Sequence, residues 1–199
     1  MHHSHGGLAL RRGWADARQA GQGPGNLQAE AKAEPGDEFK KFSQYSYGAH
    51  FAEVGVDATT GEVRLRRMLG VFDAGRIFNP KTARSQLIGG MIWGVGSALH
   101  EQALVDPRSG AFVNHDLAGY HVPVHADIPA VEAIMLAGFD DKSNPLGSKG
   151  VGELGICAAG AAVANAIYNA CGVRVRDYPI TPDKVLRGMM RPANLAQQR

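Results

Sequence analysis

The chain has 199 residues, 44% hydrophobic and 20% charged, and a formal net charge of +2. These figures describe one globular domain with a tail; they exclude a largely disordered polymer, and the charge is too small to imply a nucleic-acid partner. The 26 glycines are nearly twice the usual ~7%, so backbone approaches another helix or a ligand closely.

Residues 1–42 are rich in Gly, Ala, Gln and charge and read as a flexible tail or linker remnant, with the ordered domain at 43–199. The opening Met1-His2-His3-Ser4-His5-Gly6-Gly7 lacks the apolar core of a signal peptide and reads as a tag-like segment. Residues 47–57 alternate as a strand, Thr59-Thr60-Gly61 turns the chain, and 62–72 returns as its hairpin partner. Within it, Arg64-Leu65-Arg66-Arg67 reads as a solvated sheet face.

A helix is expected over residues 80–104, because Asn79 is a good N-cap and Pro80 suits the first helical position. Its start admits two readings. Free backbone N–H groups with Arg76 and Lys81 could cradle an anion, or the helix is ordinarily capped and carries surface cations. Gln86 sits on a face with Gly89, Gly90 and Trp93, and its amide there needs a partner. The uncharged run 87–99 is shorter than the ~20 residues of a membrane span, and reads as a buried helix with Gly90 and Gly94 permitting close contact. His100, His115, His121 and His125 assemble neither a metal site nor a triad, and Pro123 breaks the helix that would align the last two.

Residues 131–136 read as a strand and 154–170 as a helix stopped by Gly172. Residues 173–176 read as a further strand, and Thr181-Pro182-Asp183 opens a last short helix. The mixture, with an antiparallel hairpin, is α+β. Cys157 and Cys171 flank one helix about 21 Å long, beyond the ~7 Å Cα limit of a disulfide, and are expected to be buried reduced thiols.

The most informative stretch is Lys149-Gly150-Val151-Gly152-Glu153-Leu154-Gly155, read as leading straight into a helix. A helix start favours an anion, so this place suits either a bound phosphate or a working glutamate. The pattern Gly150-x-Gly152-x-x-Gly155, with Asp177 after it, matches a dinucleotide fingerprint. Against that reading, a polar turn at 140–148 precedes the pattern where a hydrophobic strand belongs, and Glu153 would face the pyrophosphate.

Several separated motifs occur in one order: His50-Phe51-Ala52-Glu53-Val54, then Asp73-Ala74-Gly75-Arg76-Ile77-Phe78-Asn79-Pro80, then Gln86-Leu87-Ile88-Gly89-Gly90, then 147–153. Over about residues 40–187 this order resembles the C-terminal part of the molybdopterin-binding large subunit of xanthine dehydrogenase-family molybdenum hydroxylases, most of all bacterial aldehyde oxidoreductases. The resemblance implies that the α+β fold, with its antiparallel or mixed sheet and buried glycine-rich helix, is part of a molybdenum-cofactor-binding domain. It implies oxidation of an aldehyde, or hydroxylation of an N-heteroaromatic, with water as oxygen source and Glu153 as base toward the metal-bound hydroxyl. Lys149, Gly150, Val151 and Gly152 would meet the pterin through backbone; Arg76, Ile77, Phe78, Asn79, Pro80, Lys81, Thr82 and Gln86 form a second cofactor segment.

The implied cofactor is molybdenum-molybdopterin in its cytosine dinucleotide form. FAD and a 2Fe–2S cluster would sit on partner subunits or domains, since no cysteine set for a cluster occurs here. The implied partners are the remainder of the subunit, the iron–sulfur and FAD subunits and a small aldehyde or heteroaromatic substrate, with no nucleic acid and no membrane. The compartment is cytoplasmic or periplasmic. Family subunits are several times longer, so the chain is expected to be inactive alone. A truncated, non-catalytic remnant or assembly partner and a dinucleotide-binding protein are the alternative readings.

Overall fold

The computed structural model describes residues 37–190. The tag-like opening lies outside them, as do most of the expected tail at 1–42 and the end of the expected domain at 191–199. The first described element is a one-turn helix, α1 (Glu38–Lys41), followed by β1 (Tyr47–Val56) and β2 (Val63–Asp73). Then come α2 (Pro80–Leu99), β3 (Val131–Met135), α3 (Ala159–Cys171) and α4 (Pro182–Met189).

The sheet order is β1-β2-β3, with β1 antiparallel and β3 parallel to β2, so the sheet is mixed and the fold α+β. Asp57 makes the hairpin turn, its carboxylate accepting from Thr59 and Thr60 N–H at 2.8 and 2.9 Å. A bulge falls where Glu53 pairs with Arg67 and Val54 with Leu65, leaving Arg66 unpaired. That extra residue lets two exposed arginines, Arg66 and Arg67, separate the buried Leu65 and Met68 on one strand. Arg64, Arg66 and Arg67 all face solvent, as the charge pattern predicts.

One core lies between sheet and helices: Leu65, Met68 and Phe72 from β2, Ala133 from β3, Leu87, Met91, Val95 and Ala98 from α2, and Ala159, Val163 and Ile167 from α3. The α2 residues follow helical spacing, so a single stripe of it is buried. As expected, glycine allows close packing there: a Cβ on Gly90 would lie 2.7 Å from Ile156 N, and one on Gly94 2.5 Å from Ala159 Cβ. Among the described residues no helix is long and apolar enough to cross a membrane.

Four local expectations are corrected. α2 stops at Leu99, not 104, because the Ala98 carbonyl that a further turn would use accepts from Ile180 N–H at 2.6 Å. α3 begins at Ala159, not 154: residues 152–158 are turns, ending at Ala158 with φ 68°. Residues 173–176 form no strand; Arg174 folds back on α3, its guanidinium bonding Asn165 Oδ1 at 2.7 Å and lying 4.1 Å over the Tyr168 ring. The thiols are not buried either, Cys157 being exposed and Cys171 half-buried.

Candidate functional site

The two segments singled out in the sequence, 76–86 and 149–153, lie side by side. Backbone pairing brings them together: Arg76 N–H donates to Gly147 O at 2.6 Å, Lys149 N–H to Ala74 O at 2.8 Å, and Gly75 bridges Ser148. Gly147 has φ 73°, the left-handed conformation that glycine adopts without strain. The Gln86 amide finds its partner in the loop itself, donating to Gly152 O at 3.3 Å. From the sheet side, Ser46 Oγ donates to Gly150 O at 2.6 Å and His50 Nε2 meets Gly155 O at 3.1 Å.

Lys149 turns its charge inward. Its Nζ lies 3.0 Å from Asp73 Oδ1, 4.0 Å from Asp140 Oδ2 and 5.3 Å from the Tyr47 ring centre, with the side chain only 12% exposed. Both carboxyls are held below their ordinary range, Asp73 chiefly by the Gly75 N–H and then by Lys149. For Asp140 the Ser143 hydroxyl is the leading cause. Lys149 therefore has its backbone, not its ammonium, to offer a ligand.

Neither of the two places suggested by the sequence is built on the free N–H groups of a helix start. At α2, Asn79 Oδ1 accepts from Lys81 N–H at 3.1 Å and Thr82 N–H at 3.2 Å, and Pro80 has no N–H, so the cap consumes its own donors. The remaining anion-binding groups there are the exposed side chains of Arg76, stacked 5.3 Å from the Phe78 ring centre, and Lys81. Ile77 is half-buried, while Phe78, Pro80 and Thr82 are exposed. At α3, Glu153 precedes the helix by a full turn region, and its carbonyl accepts from Ile156 and Cys157 N–H at 3.2 and 3.3 Å. The Glu153 side chain is exposed, and no hydrogen bond or ion pair among the described residues engages its carboxylate.

The glycines divide by reason. A Cβ on Gly155 would lie 2.2 Å from Leu87 O, so packing demands glycine there. Gly150 and Gly152 would meet nothing within 4 Å, and neither has a positive φ. Gly89, on the Gln86 face of α2, is alike in both respects. These three are the glycines among the described residues that neither conformation nor packing explains. Beside Gly150 lies a cavity of about 440 Å³ lined also by Gln44, Ser46, Ser143, Asn144, Ser148 and Lys149. A larger cavity of about 1150 Å³, at the hairpin turn and the end of α2, includes no residue of this site.

Ser46 and Asn144 escape the sequence reading as site residues. Asn144 Nδ2 holds Ser148 O at 2.7 Å within the loop, while Ser46 reaches a loop 104 residues away, a contact that no local pattern marks. The dinucleotide fingerprint is not realised as a strand–turn–helix unit: β3 ends at Met135 and α3 begins only at Ala159. Among the described residues no group of three or more His, Cys, Asp or Glu side chains could hold a metal ion.

Comparison with known proteins places this arrangement. A family model described as a molybdopterin cofactor-binding domain matches residues 6–129, starting within the segment read as tail. The aldehyde oxidoreductase molybdenum-binding subunit of Escherichia coli is 60% identical over 162 residues, 81% of this chain and 22% of that subunit. The gamma subunit of the 6-hydroxypseudooxynicotine dehydrogenase complex of Paenarthrobacter nicotinovorans is 36% identical over 143 residues, 71% of this chain and 18% of the relative. The crystal structure of the aldehyde oxidoreductase from Desulfovibrio desulfuricans superposes with a TM-score of 0.65 at 36% identity, covering 72% of this chain and 15% of that one. The chain belongs to the molybdopterin cofactor-binding domain family, within the molybdenum-binding subunits of xanthine dehydrogenase-type hydroxylases. It spans about a fifth of the length of the curated relatives it matches.

Proposed function

We propose that this chain forms one wall of the cofactor site of a molybdenum hydroxylase that oxidises aldehydes, with Glu153 as its general base. The observation that carries the reading is the openness at Gly89, Gly150 and Gly152, where a Cβ would enter space that none of the described residues fills. Glycine inside a helix costs about 1 kcal/mol relative to alanine, so Gly89 in α2 implies a neighbour supplied from outside. A flat pterin ring system fits such an open place, since peptide groups without side chains can approach and hydrogen-bond it closely.

Molybdopterin, when bound, supplies the metal centre that accepts two electrons from the substrate while water provides the oxygen. This chain's residues have separate tasks. The peptide groups of 149–152 and the Gln86 side chain would hold the ring system. The Arg76 guanidinium and Lys81 ammonium offer charge-assisted hydrogen bonds to the diphosphate of a cytosine dinucleotide form. An exposed, unpaired carboxylate at Glu153 can accept a proton at either Oε. Electrons would leave through iron–sulfur and FAD subunits, and the rest of the pocket would come from the remainder of the molybdenum-binding subunit.

The test is purification of the complete subunit with its partners, followed by molybdenum and cytidine-nucleotide analysis and aldehyde oxidation. Glu153→Gln should retain the metal and lose at least ~100-fold in turnover, the scale of a missing general base. Turnover near the parent value would remove Glu153 from the chemistry. A complete subunit without molybdenum would leave the domain as a non-catalytic remnant.

A further inference from the structure

Ser46, Gln86 and His50 hold three carbonyls of the glycine turn, and the histidine differs from the other two. Gly155 O can only accept, so Nε2 carries the hydrogen. Nδ1 is then a buried acceptor with no partner, and it is the one buried side-chain polar atom so placed among the described residues. Burial pushes the imidazole pKa down, against the Gly155 contact that raises it, so the neutral ring is favoured. An orphaned acceptor is disfavoured in a protein interior. Packing does not call for it either: the ring sits edge-on to Phe72 with centroids 5.1 Å apart, a place that phenylalanine would fill without an orphan. What histidine supplies, and an apolar ring does not, is the Nε2–H to Gly155.

That hydrogen bond ties the turn to the sheet. The other bonds closing the turn, from Ile156 and Cys157 N–H to Glu153 O, are internal to it and cannot orient it against β1. Leu87 O blocks Gly155 from the helix side, and His50 holds its carbonyl from the strand side. We propose that His50 is a positioning residue that sets the 153–157 turn against β1 and thereby aims the Glu153 carboxylate. This rests on the reading of Glu153 as the base, two residues before the carbonyl that His50 holds.

Three variants of the complete subunit with its partners test it. His50→Phe removes the donor, His50→Asn carries an amide too short to reach, and His50→Gln places an N–H close to the position of Nε2. The Phe and Asn variants should lose at least ~10-fold in kcat at unchanged KM and molybdenum content, because ångström-scale misplacement of a reacting group is worth up to ~100-fold. Amide exchange across 153–157, followed by mass spectrometry, should rise at least ~10-fold in the same two variants as the turn opens locally. His50→Gln should bring both readouts back to within ~3-fold of the parent, since it restores the donor. Equal behaviour of the Gln and Phe variants, or unaltered exchange in the Phe and Asn variants, overturns the assignment. Should the Phe variant fail to fold, the Asn and Gln pair decides the matter. Normal turnover in Glu153→Gln with faster exchange in His50→Asn would discard the base and uphold the contact, whereas unaltered exchange discards the contact itself.

Discussion

Alanine at Gly152 and alanine at Gly155 should fail for opposite reasons, though only two residues separate them. At Gly155 the new methyl would lie 2.2 Å from Leu87 O, and also within 2.9 Å of two further Leu87 backbone atoms, so helix and turn must part by about an ångström. Overpacking against backbone that cannot rotate away belongs at the upper end of the usual range, about 3 kcal/mol. For a domain of this size that is roughly 6–12 °C in melting temperature. At Gly152 the methyl meets none of the described residues. The Gly152→Ala subunit should melt where the parent does, or higher by up to about 1 kcal/mol of stability through a less flexible unfolded state. Its defect should be in cofactor retention: a methyl forced between backbone and a close-lying ring costs about 1–3 kcal/mol, or ~5- to 160-fold in affinity. Scanning calorimetry and molybdenum content per subunit, measured on both variants, separate the two losses. Full molybdenum in a stable Gly152→Ala subunit would show that nothing lies against that face.

The remaining expectations concern charge. Arg76→Ala with Lys81→Ala should lower bound cytidine nucleotide and molybdenum while moving the melting temperature little, because exposed cations rarely matter to folding and phosphate contacts do matter to binding; unchanged nucleotide content would leave α2 as an ordinarily capped helix. Asp73 and Asp140 have depressed folded pKa values, so their stabilisation is complete above the unfolded value of ~3.9 and is lost as pH falls below it, through the folded values. Lys149→Met should therefore unfold at a higher pH than the parent in an acid titration followed by circular dichroism, and coincident acid transitions would count against this ion-pair cluster.

Local chemistry was readable where the cause is local. Asn79 and Pro80 announce the start of α2, and the cap forms as their side chains require. The end of that helix was not readable, because Ile180, far along the chain, takes the Ala98 carbonyl. The glycine loop advertised close approach, yet spacing alone cannot tell Gly155, which packs on Leu87, from Gly150 and Gly152, which face open space. Reading a helix directly behind Glu153 failed for the same reason: the chain must first pass Gly155 beneath α2, and it does so in turns. The family itself was legible from collinear motifs, and the comparisons agree. Of the donors that hold the loop only Gln86 stood out; the contacts of Ser46 and His50 did not, since these lie 104 and 105 residues from the carbonyls they meet.

Around Gly90 and Gly155 the seam between α2 and the turn is backbone against backbone. Gly90 faces the backbone of Gly155 and Ile156, and Gly155 faces the backbone of Leu87. Elsewhere in a protein, flexible side chains act as shims that absorb small movements; two bare backbones in contact have no such slack. Leu87 stands on both sides of the matter, its side chain fully buried in the core and its carbonyl seating Gly155. Any change of volume beneath Leu87 or Met91 is thus passed through the helix to the turn as a rigid displacement. Core packing beneath α2 and the placement of the 152–158 turn are thereby one mechanical unit.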